Sequence, residues 1–299
     1  MDLATAKVIG ISAALGVSAS WAAGAILFGK LGENLSPLAM TLVKGAISLV
    51  LLGAASVGSG FSGVDAHSMA LLALSGGIGI ALGDTFFFQA LKDLGPALIV
   101  VLIMLGQVLT AALGIIFLRE SLTWMKGAGI ALVVGGVGLV MSAKLTGERQ
   151  PSHVRGIIFG LLSVVCMAVA GLVTKLALKE DSDTMLATFI RMVAGTMLMF
   201  IFGVATRQVG RWVIPFQDRT LAARFVLATT VVTFGGFWLT TVAFKYAELS
   251  VANTLSSVEP LFVLPLAAIF CNERVTWSAI VGTAVAVAGI VLLVSFQPI

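Results

Sequence analysis

Charged residues are scarce in this chain, and their scarcity excludes most classes of protein at once. Only 11% of the 299 residues are Asp, Glu, Lys or Arg, whereas soluble domains typically carry about 25%. Hydrophobic residues make up 59% of the chain, and the mean hydropathy is +1.10. A chain of this composition cannot remain soluble as a folded globule, so the sequence predicts an integral membrane protein.

Residues that carry catalysis, redox chemistry or metal binding are also few. The two histidines, His67 and His153, fall in predicted loops. The two cysteines, Cys166 and Cys271, lie in or at the end of apolar runs and have no CxxC spacing, so we interpret both as packing residues. Because no HExxH or GxSxG motif occurs either, we expect neither an enzyme nor a bound cofactor or metal.

Basic residues exceed acidic residues, which gives a net charge of +4. They occur singly or in small groups in the short gaps between apolar runs. This distribution is typical of membrane-protein loops rather than of a nucleic-acid surface. The partners that we expect are therefore a small-molecule substrate and the lipid bilayer, and not a nucleic acid.

The chain contains a tandem repeat. Residues 68–143 align with residues 221–296 without a gap, at an offset of 153. The alignment is densest at a short signature, in which the first-copy residues Phe117, Glu120, Thr123, Trp124, Gly129 and Gly136 correspond to Phe270, Glu273, Thr276, Trp277, Gly282 and Gly289. A repeat of this length indicates a duplicated structural unit.

Ten apolar segments are long enough to be membrane helices of about 20 residues. They lie at 8–28, 38–58, 69–91, 96–118 and 124–143, and then at 154–178, 184–205, 221–247, 250–272 and 277–296. The first segment could be mistaken for a secretory signal peptide, but its repeat partner lies where no signal could be cleaved. The polar stretch 144–153 separates a first repeat, residues 1–143, from a second, residues 154–299.

Each half has five apolar segments, which is an odd number, so the second half must enter the bilayer upside down. The fold class that we expect is therefore an all-α membrane protein with ten transmembrane helices in two inverted repeats. Glycines recur within the spans, at Gly79 and Gly83 and at Gly135, Gly136 and Gly138. Small residues let helices approach closely in lipid, so we interpret these glycines as packing faces.

The duplicated signature resembles the end of the EamA-type repeat of the drug/metabolite transporter superfamily. Ten spans in two halves agree with this resemblance, as does a basic residue in the second helix of each half, Lys44 and Arg191. The resemblance implies a helical basket around a central cavity, formed mainly by the first, third and fourth helices of each repeat. As a whole, the sequence is also similar to YddG-type exporters of aromatic amino acids.

The resemblance further implies a multi-pass protein of the cytoplasmic (inner) membrane with both termini in the cytoplasm. The positions of Lys and Arg in the loops favour the opposite orientation, with the termini outside. Both repeats lie in one chain, which is compatible with a monomer.

Five ionisable residues lie inside predicted spans: Lys44, Asp84, Lys175, Arg191 and Glu259. Near the centre of a helix each costs about 2.5–3.5 kcal/mol, so each needs a partner, a wet cavity or a route to the interface. At a rise of 1.5 Å per residue, Lys44 and Asp84 lie about 10 Å from the same face, which allows an ion pair. Arg191 and Glu259 lie at similar depths from the opposite face, so a second pair is possible.

Reaching the interface with a long side chain is the alternative for Lys44 and Arg191, and it is the role that we expect for Lys175. Glu259 cannot reach as far. It precedes Pro260, which removes a helix hydrogen bond near mid-membrane. Such a break is tolerated where the backbone lines a cavity, so we expect Glu259 to face one, with a buried structural role as the alternative.

Polar and aromatic residues complete the expected cavity. The polar members cluster before Glu259 and in the matching fourth helix, and two tryptophans lie near mid-membrane on the first and eighth helices. Core or lipid packing is the alternative for each aromatic residue. The expected substrate-binding set is Trp21, Asp84, Phe88, Gln107, Trp238, Asn253, Ser256, Ser257 and Glu259, with Lys44 and Arg191 as intramembrane charges.

These features predict a secondary exporter of small metabolites that alternates between inward-open and outward-open states. The resemblance favours aromatic or other amphipathic amino acids as substrates. The residues alone equally permit cationic drugs at Glu259, or anionic metabolites at Lys44 or Arg191. A non-transporting sensor or scaffold that reuses the fold is the alternative from another class.

Overall fold

A computed structural model describes residues 3–56, 64–118, 124–145, 151–247, 259–270 and 276–295. The first half contributes α1 (Leu3–Leu31), α2 (Pro37–Ser56), α3 (Ala66–Leu94), α4 (Pro96–Ile103 and Leu105–Leu118, interrupted at Met104) and α5 (Trp124–Leu145). The second half contributes α6 (Pro151–Ala177), α7 (Thr184–Ala205), α8 (Arg219–Tyr246), α9 (Glu259–Phe270) and α10 (Trp277–Ser295). A short helix, Val209–Val213, and a 3₁₀ turn, Ile214–Gln217, connect α7 to α8.

The described residues are helical apart from their connections, and they contain no strand. Among them, six helices are long and apolar enough to cross a membrane, namely α1, α2, α3, α6, α7 and α8. The predicted all-helical, multi-pass membrane protein is therefore confirmed. The full count of ten spans stays a prediction, because α4 is interrupted and the apolar stretches of α5 and α10 are shorter.

Aspartates begin three of the long helices. The carboxylates of Asp65, Asp183 and Asp218 each accept a hydrogen bond from the backbone N–H groups of the first turn of α3, α7 and α8. A carboxylate there satisfies donors that have no partner within the helix and complements the helix dipole. At the other end of α3, Gly95 takes φ 80°, a left-handed conformation that favours glycine, and Pro96 begins α4.

A π-helical segment interrupts the third helix of each half. The segments are Gly77–Gly83 in α3 and Val232–Trp238 in α8. They overlap under the repeat alignment, in which Gly83 corresponds to Gly236. Such segments are rare and are frequently found at functional sites. Their occurrence in both halves therefore points to a functional site near them.

The first helix of each half packs on the third helix of the other half. A Cβ at Gly10 of α1 would lie 3.1 Å from the backbone of Tyr246 at the end of α8. A Cβ at Gly156 of α6 would lie 2.8 Å from Cβ of Asp93 at the end of α3. Gly156 is the repeat partner of Gly10, and Tyr246 is the repeat partner of Asp93. The two contacts are therefore equivalent.

An equivalent pair of contacts lies at the middle of α8 and of α3. Gly24 of α1 lies against Val232 of α8, and Gly79 of α3 lies against Ala170 of α6, where a Cβ on Gly79 would be 2.7 Å from that of Ala170. Gly83 also faces α6, 3.4 Å from Cβ of Cys166. The predicted packing face of Gly79 and Gly83 is therefore confirmed, and Cys166 packs against it.

The glycines of the repeat signature form the contact between α5 and α10. A Cβ at Gly136 would lie 2.7 Å from the backbone nitrogen of Ala286, and one at Gly289 would lie 2.8 Å from that of Val133. These contacts exchange under the offset of 153. Gly135 and Gly138 differ from the prediction, because no described atom lies within 4 Å of a Cβ at either position and neither glycine packs on a helix.

Two equivalent lysines, one in each half, donate a hydrogen bond to a carbonyl oxygen in a loop. Lys92 near the end of α3 donates to the carbonyl oxygen of Leu35 at 3.2 Å, and Lys245 near the end of α8 donates to that of Ser182 at 2.6 Å. Lys175 differs from the expected side chain that only reaches for the interface. It donates to the carbonyl oxygens of Phe244 and Ala247, at 2.6 and 2.9 Å, and so caps the C-terminal end of α8.

Candidate functional site

A buried ion pair joins α2 to α3. Nζ of Lys44 pairs with a carboxylate oxygen of Asp84, and the side chains are only 1% and 3% exposed. Asp84 is the first residue after the π segment of α3, which turns it toward α2. The ion pair that the similar depths of Lys44 and Asp84 in the bilayer allowed is therefore present. Lys44 does not extend to the interface.

Aromatic rings of both halves surround the ammonium group of Lys44. The Phe237 ring of α8 lies 4.3 Å from Nζ, and the Phe88 ring of α3 lies 5.6 Å from it. A cation over an aromatic face is stabilised by the ring's quadrupole, most strongly where water is excluded. Sequence reasoning did not place Phe237 in the site. The signal was available, because Phe237 is the repeat partner of Asp84.

Trp21 and Phe88 lie beside this pair, whereas Trp238 lies elsewhere. Trp21 of α1 is half-buried and packs edge-on against Phe237, with ring centroids 5.1 Å apart. Phe88 is buried and packs edge-on against Phe28 at 5.3 Å. Trp238 belongs to a different hydrophobic cluster, and its indole N–H donates to Thr184 at 3.3 Å. The structure does not unite the two tryptophans in one site.

Arg191 is buried against α3 and not against α9. Its side chain donates from Nε to the hydroxyl of Ser75 at 3.1 Å, and the residue is only 6% exposed. The predicted pair of Arg191 with Glu259 is wrong, because no ion pair joins these two residues in the structure. The reason is the shape of α3. A glycine at position 76 lets the backbone of α7 at Arg191 come into contact with α3, which turns the guanidinium toward that helix.

The remaining predicted cavity residues are only partly described. Glu259 is the first residue of α9 and is partly buried. Gln107 lies in the second segment of α4, but its side chain is outside the described part of the structure. Asn253, Ser256 and Ser257 lie outside the described residues altogether. Their place in a cavity stays a prediction.

Hydroxyl groups link the central helices of the two halves. Ser48 of α2 and Thr233 of α8 are 2.7 Å apart, and Thr188 of α7 donates to Thr241 of α8 at 2.9 Å. Ser163 of α6 donates at 2.9 Å to the carbonyl oxygen of Gly83, at the end of the π segment. Interhelical hydrogen bonds of this kind hold membrane helices together. Small polar residues within apolar spans were the available signal, and sequence reasoning did not use it.

Comparison with known proteins decides the class. The sequence profile of the EamA-like transporter family matches residues 8–142 and again residues 154–295. The chain belongs to this family. The family matches each half once, as the tandem repeat predicts, and it indicates a membrane transporter of small molecules. Membership of a transporter family is consistent with the expectation that the protein is not an enzyme.

One solved structure agrees on the fold. It is described only as "Crystal structure of protein" and has a TM-score of 0.67 and 17% sequence identity, over 97% of each chain. At that identity the likeness shows the fold alone. The sodium-calcium exchanger NCX_Mj aligns over 99% of each chain with 15% identity, but its TM-score of 0.20 carries no argument. A search of curated proteins found no match.

Proposed function

We propose that this protein is a secondary exporter of small amphipathic metabolites, most favourably aromatic amino acids, that works by alternating access between two inverted halves. The observation that carries the proposal is the reciprocal packing of the halves in a member of a transporter family. Two equivalent halves that pack on each other can exchange their arrangements, which opens the site first to one side of the membrane and then to the other.

The direction of the helices supports inversion. Gly10, near the start of α1, lies against the end of α8, and Gly24, near the end of α1, lies against the middle of α8. The two helices are therefore antiparallel, and the equivalent contacts of Gly156 and Ala170 make α6 antiparallel to α3. Since α1 and α3 are alternate spans of one half and run in the same direction, α8 crosses the bilayer opposite to its repeat partner α3. The same argument supports an odd number of spans in each half, and so ten spans with both termini on one side. That this side is the cytoplasm follows from the family resemblance alone.

The aromatic cluster supports an amphipathic substrate. Trp21, Phe88 and Phe237 lie around the buried charges Lys44 and Asp84, so apolar rings and ionic groups occur together between the halves. A solute with an aromatic body and a charged end matches both features. This arrangement favours an aromatic amino acid over a purely polar solute.

Flux into proteoliposomes tests the proposal. Purified protein should transport labelled phenylalanine without ATP, and unlabelled phenylalanine should compete better than threonine or methyl viologen. Trp21→Ala should weaken phenylalanine transport, whereas Trp124→Ala, which alters a residue that is 78% exposed at the start of α5, should not. No flux for amino acids, amines or sugars would overturn the transport proposal. Better competition by threonine would overturn the aromatic preference alone.

A further inference from the structure

The buried core carries more positive than negative charge. Among the buried residues that the structure describes, the ionisable side chains are the cations Lys44 and Arg191 and the anion Asp84. Asp84 forms its ion pair with Lys44. Glu259, which is partly buried, forms no ion pair with Arg191. Asp84 also lies within electrostatic range of Arg191, so among the described residues one buried carboxylate serves two buried cations, and it forms its hydrogen bond with Lys44.

Arg191 is also short of hydrogen-bond acceptors. A guanidinium has five N–H donors in a planar fork. Within the described residues, only Nε has an acceptor, the hydroxyl of Ser75 at 3.1 Å. Ser75 donates in turn to the carbonyl oxygen of Ala170 at 2.9 Å, which orients its lone pairs toward Arg191. No described residue accepts a hydrogen bond from the terminal nitrogens of the fork, although Arg191 is more than nine-tenths buried.

The terminal nitrogens lie beside the π segment of α3. Nη2 of Arg191 is 3.9 Å from the position of a Cβ at Gly79, so the fork lies against backbone that carries no side chain, beside the contact of Gly79 with Ala170. A buried cation is costly in a membrane protein unless an anion or water compensates it. A guanidinium binds a carboxylate through two parallel hydrogen bonds, which fits two free nitrogens of one fork.

We propose that the terminal nitrogens of Arg191 bind the carboxylate of the transported solute. This inference rests on the proposed transport function and names the chemical class of its substrate: small amphipathic carboxylates, with or without an amino group. The solute's carboxylate supplies the hydrogen-bonded anion that Asp84, paired with Lys44, does not provide to Arg191. A small inorganic anion such as chloride shares this chemistry and is separated from the solute by experiment.

A ligand series on the unaltered protein tests the proposal without any mutation. L-Phenylalanine and 3-phenylpropionate carry the carboxylate, whereas phenylalaninamide and phenethylamine have the same aromatic body without it. We expect the first two to compete with labelled phenylalanine at least tenfold better than the last two. Equal competition by phenylalaninamide would overturn the carboxylate site while leaving the transport proposal intact. A failure of all four compounds would instead count against the proposed substrate class.

Replacing chloride by isethionate, which has no carboxylate, distinguishes the two sources of the anion. If the solute's own carboxylate binds Arg191, chloride at millimolar concentrations should leave the affinity for phenylpropionate unchanged. Competitive inhibition of phenylpropionate binding by chloride, with no effect on phenethylamine binding, would assign the site to an inorganic anion and overturn the assignment to the solute.

Variants then locate the effect at Arg191. Arg191→Gln should abolish the preference for phenylalanine over phenylalaninamide, and Arg191→Lys should restore part of it, because a positive charge remains without the planar fork. Arg155→Gln is the matched control, since Arg155 has a 57% exposed side chain and pairs with Asp93 away from the site. A preference that survives in folded Arg191→Gln would overturn the proposal. If that variant does not fold, the ligand series still decides.

Discussion

The two halves of this molecule share their packing and differ in their charges. The contacts of Gly136 and Gly289, and the hydrogen bonds of Lys92 and Lys245, recur in both halves at equivalent positions. The buried cations Lys44 and Arg191 also occupy equivalent positions, but the first faces a carboxylate and the second a serine hydroxyl. The duplication thus preserves the helix packing in both halves. The described parts of the two halves differ in the partners of their buried cations.

That divergence traces to one exchange between a charged and an aromatic residue. Asp84 in α3 corresponds to Phe237 in α8, and both contact the ammonium group of Lys44, one by charge and the other by its ring. With phenylalanine at position 237, the buried residues that the structure describes include two cations and one anion.

The largest effect is expected from a substitution that breaks a contact between helices of the two halves. A Cβ at Gly76 would collide with the backbone of Arg191, and backbone cannot move aside as a flexible side chain does. At the neighbouring Gly77 the nearest atom is the end of the Leu198 side chain, at 3.6 Å. We expect Gly76→Ala to abolish folded protein in size-exclusion chromatography and Gly77→Ala to leave the yield unchanged. Equal yields would show that α3 and α7 do not approach as described.

The same comparison applies between α5 and α10. Gly136→Ala should lower the melting temperature in detergent because its methyl group would overlap Gly282 and Ala286. Gly135→Ala should be neutral or slightly stabilising, since the space beside Gly135 is open and alanine favours helix more than glycine. If Gly135→Ala were the more harmful of the two, the assignment of this interface would be wrong.

The next effect concerns the ion pair of the first half. Asp84→Asn leaves Lys44 buried without a counter-charge, which typically costs about 3–5 kcal/mol. Adding Lys44→Met should recover much of that loss in thermal unfolding, because an apolar side chain replaces the stranded cation. A double variant no more stable than Asp84→Asn would contradict the pair's role.

Glu259 provides the contrasting case. Because Arg191 does not pair with it, Glu259→Gln should leave thermal stability unchanged, and Arg191→Gln should not rescue anything in combination with it. If Glu259 lines the transport path, the variant should still change the rate of phenylalanine flux. Normal flux and normal stability together would remove Glu259 from the mechanism.

A smaller effect tests the equivalence of the halves. Lys92→Met and Lys245→Met each remove one charged hydrogen bond to a loop carbonyl, which typically contributes about 1.5–3 kcal/mol. We expect similar losses of thermal stability from the two substitutions, and additive losses when they are combined. Strongly unequal losses would show that the halves differ in stability as well as in charge.

The smallest effect lies at the surface, where Asp65 binds Lys179 across the halves at 3.2 Å. Hydrogen bonds from Ser68 and from Lys179 lower the pKa of Asp65 to about 2. Its contribution to stability is therefore present at neutral pH and is lost only as the pH falls through about 2. Asp65→Asn should lower the melting temperature slightly, without pH dependence between 5 and 8, and Asp65→Ala should lower it further because the helix cap is also lost. Identical melting temperatures for both variants would contradict the capping role.

Sequence reasoning succeeded where position along the chain determines the answer. The duplicated signature gave the resemblance to the family, and the repeat offset and the apolar runs gave the two homologous halves and most helix boundaries. Depth in the bilayer gave the pair of Lys44 and Asp84. Depth alone gave the wrong partner for Arg191, because it fixes one coordinate and leaves open which neighbouring helix a side chain faces. Gly76 and Gly79 of α3 decide which helix Arg191 faces, because they let helices of the two halves come into contact. The pattern of residues along the sequence does not show these contacts.

The exchange of first helices has a consequence for how the protein is made. α1 packs on α8 and α9, and α6 packs on α3 and α4, so each half receives its first helix from the other. During synthesis α1 is inserted long before Arg219 leaves the ribosome, and until α8 arrives its row of glycines can face only lipid or temporary neighbours. Insertion and assembly are thus separate stages for this chain. Separately expressed segments 1–147 and 148–299 should be unstable alone and should form a stable complex when they are made in the same cell, which co-purification and protease resistance would measure.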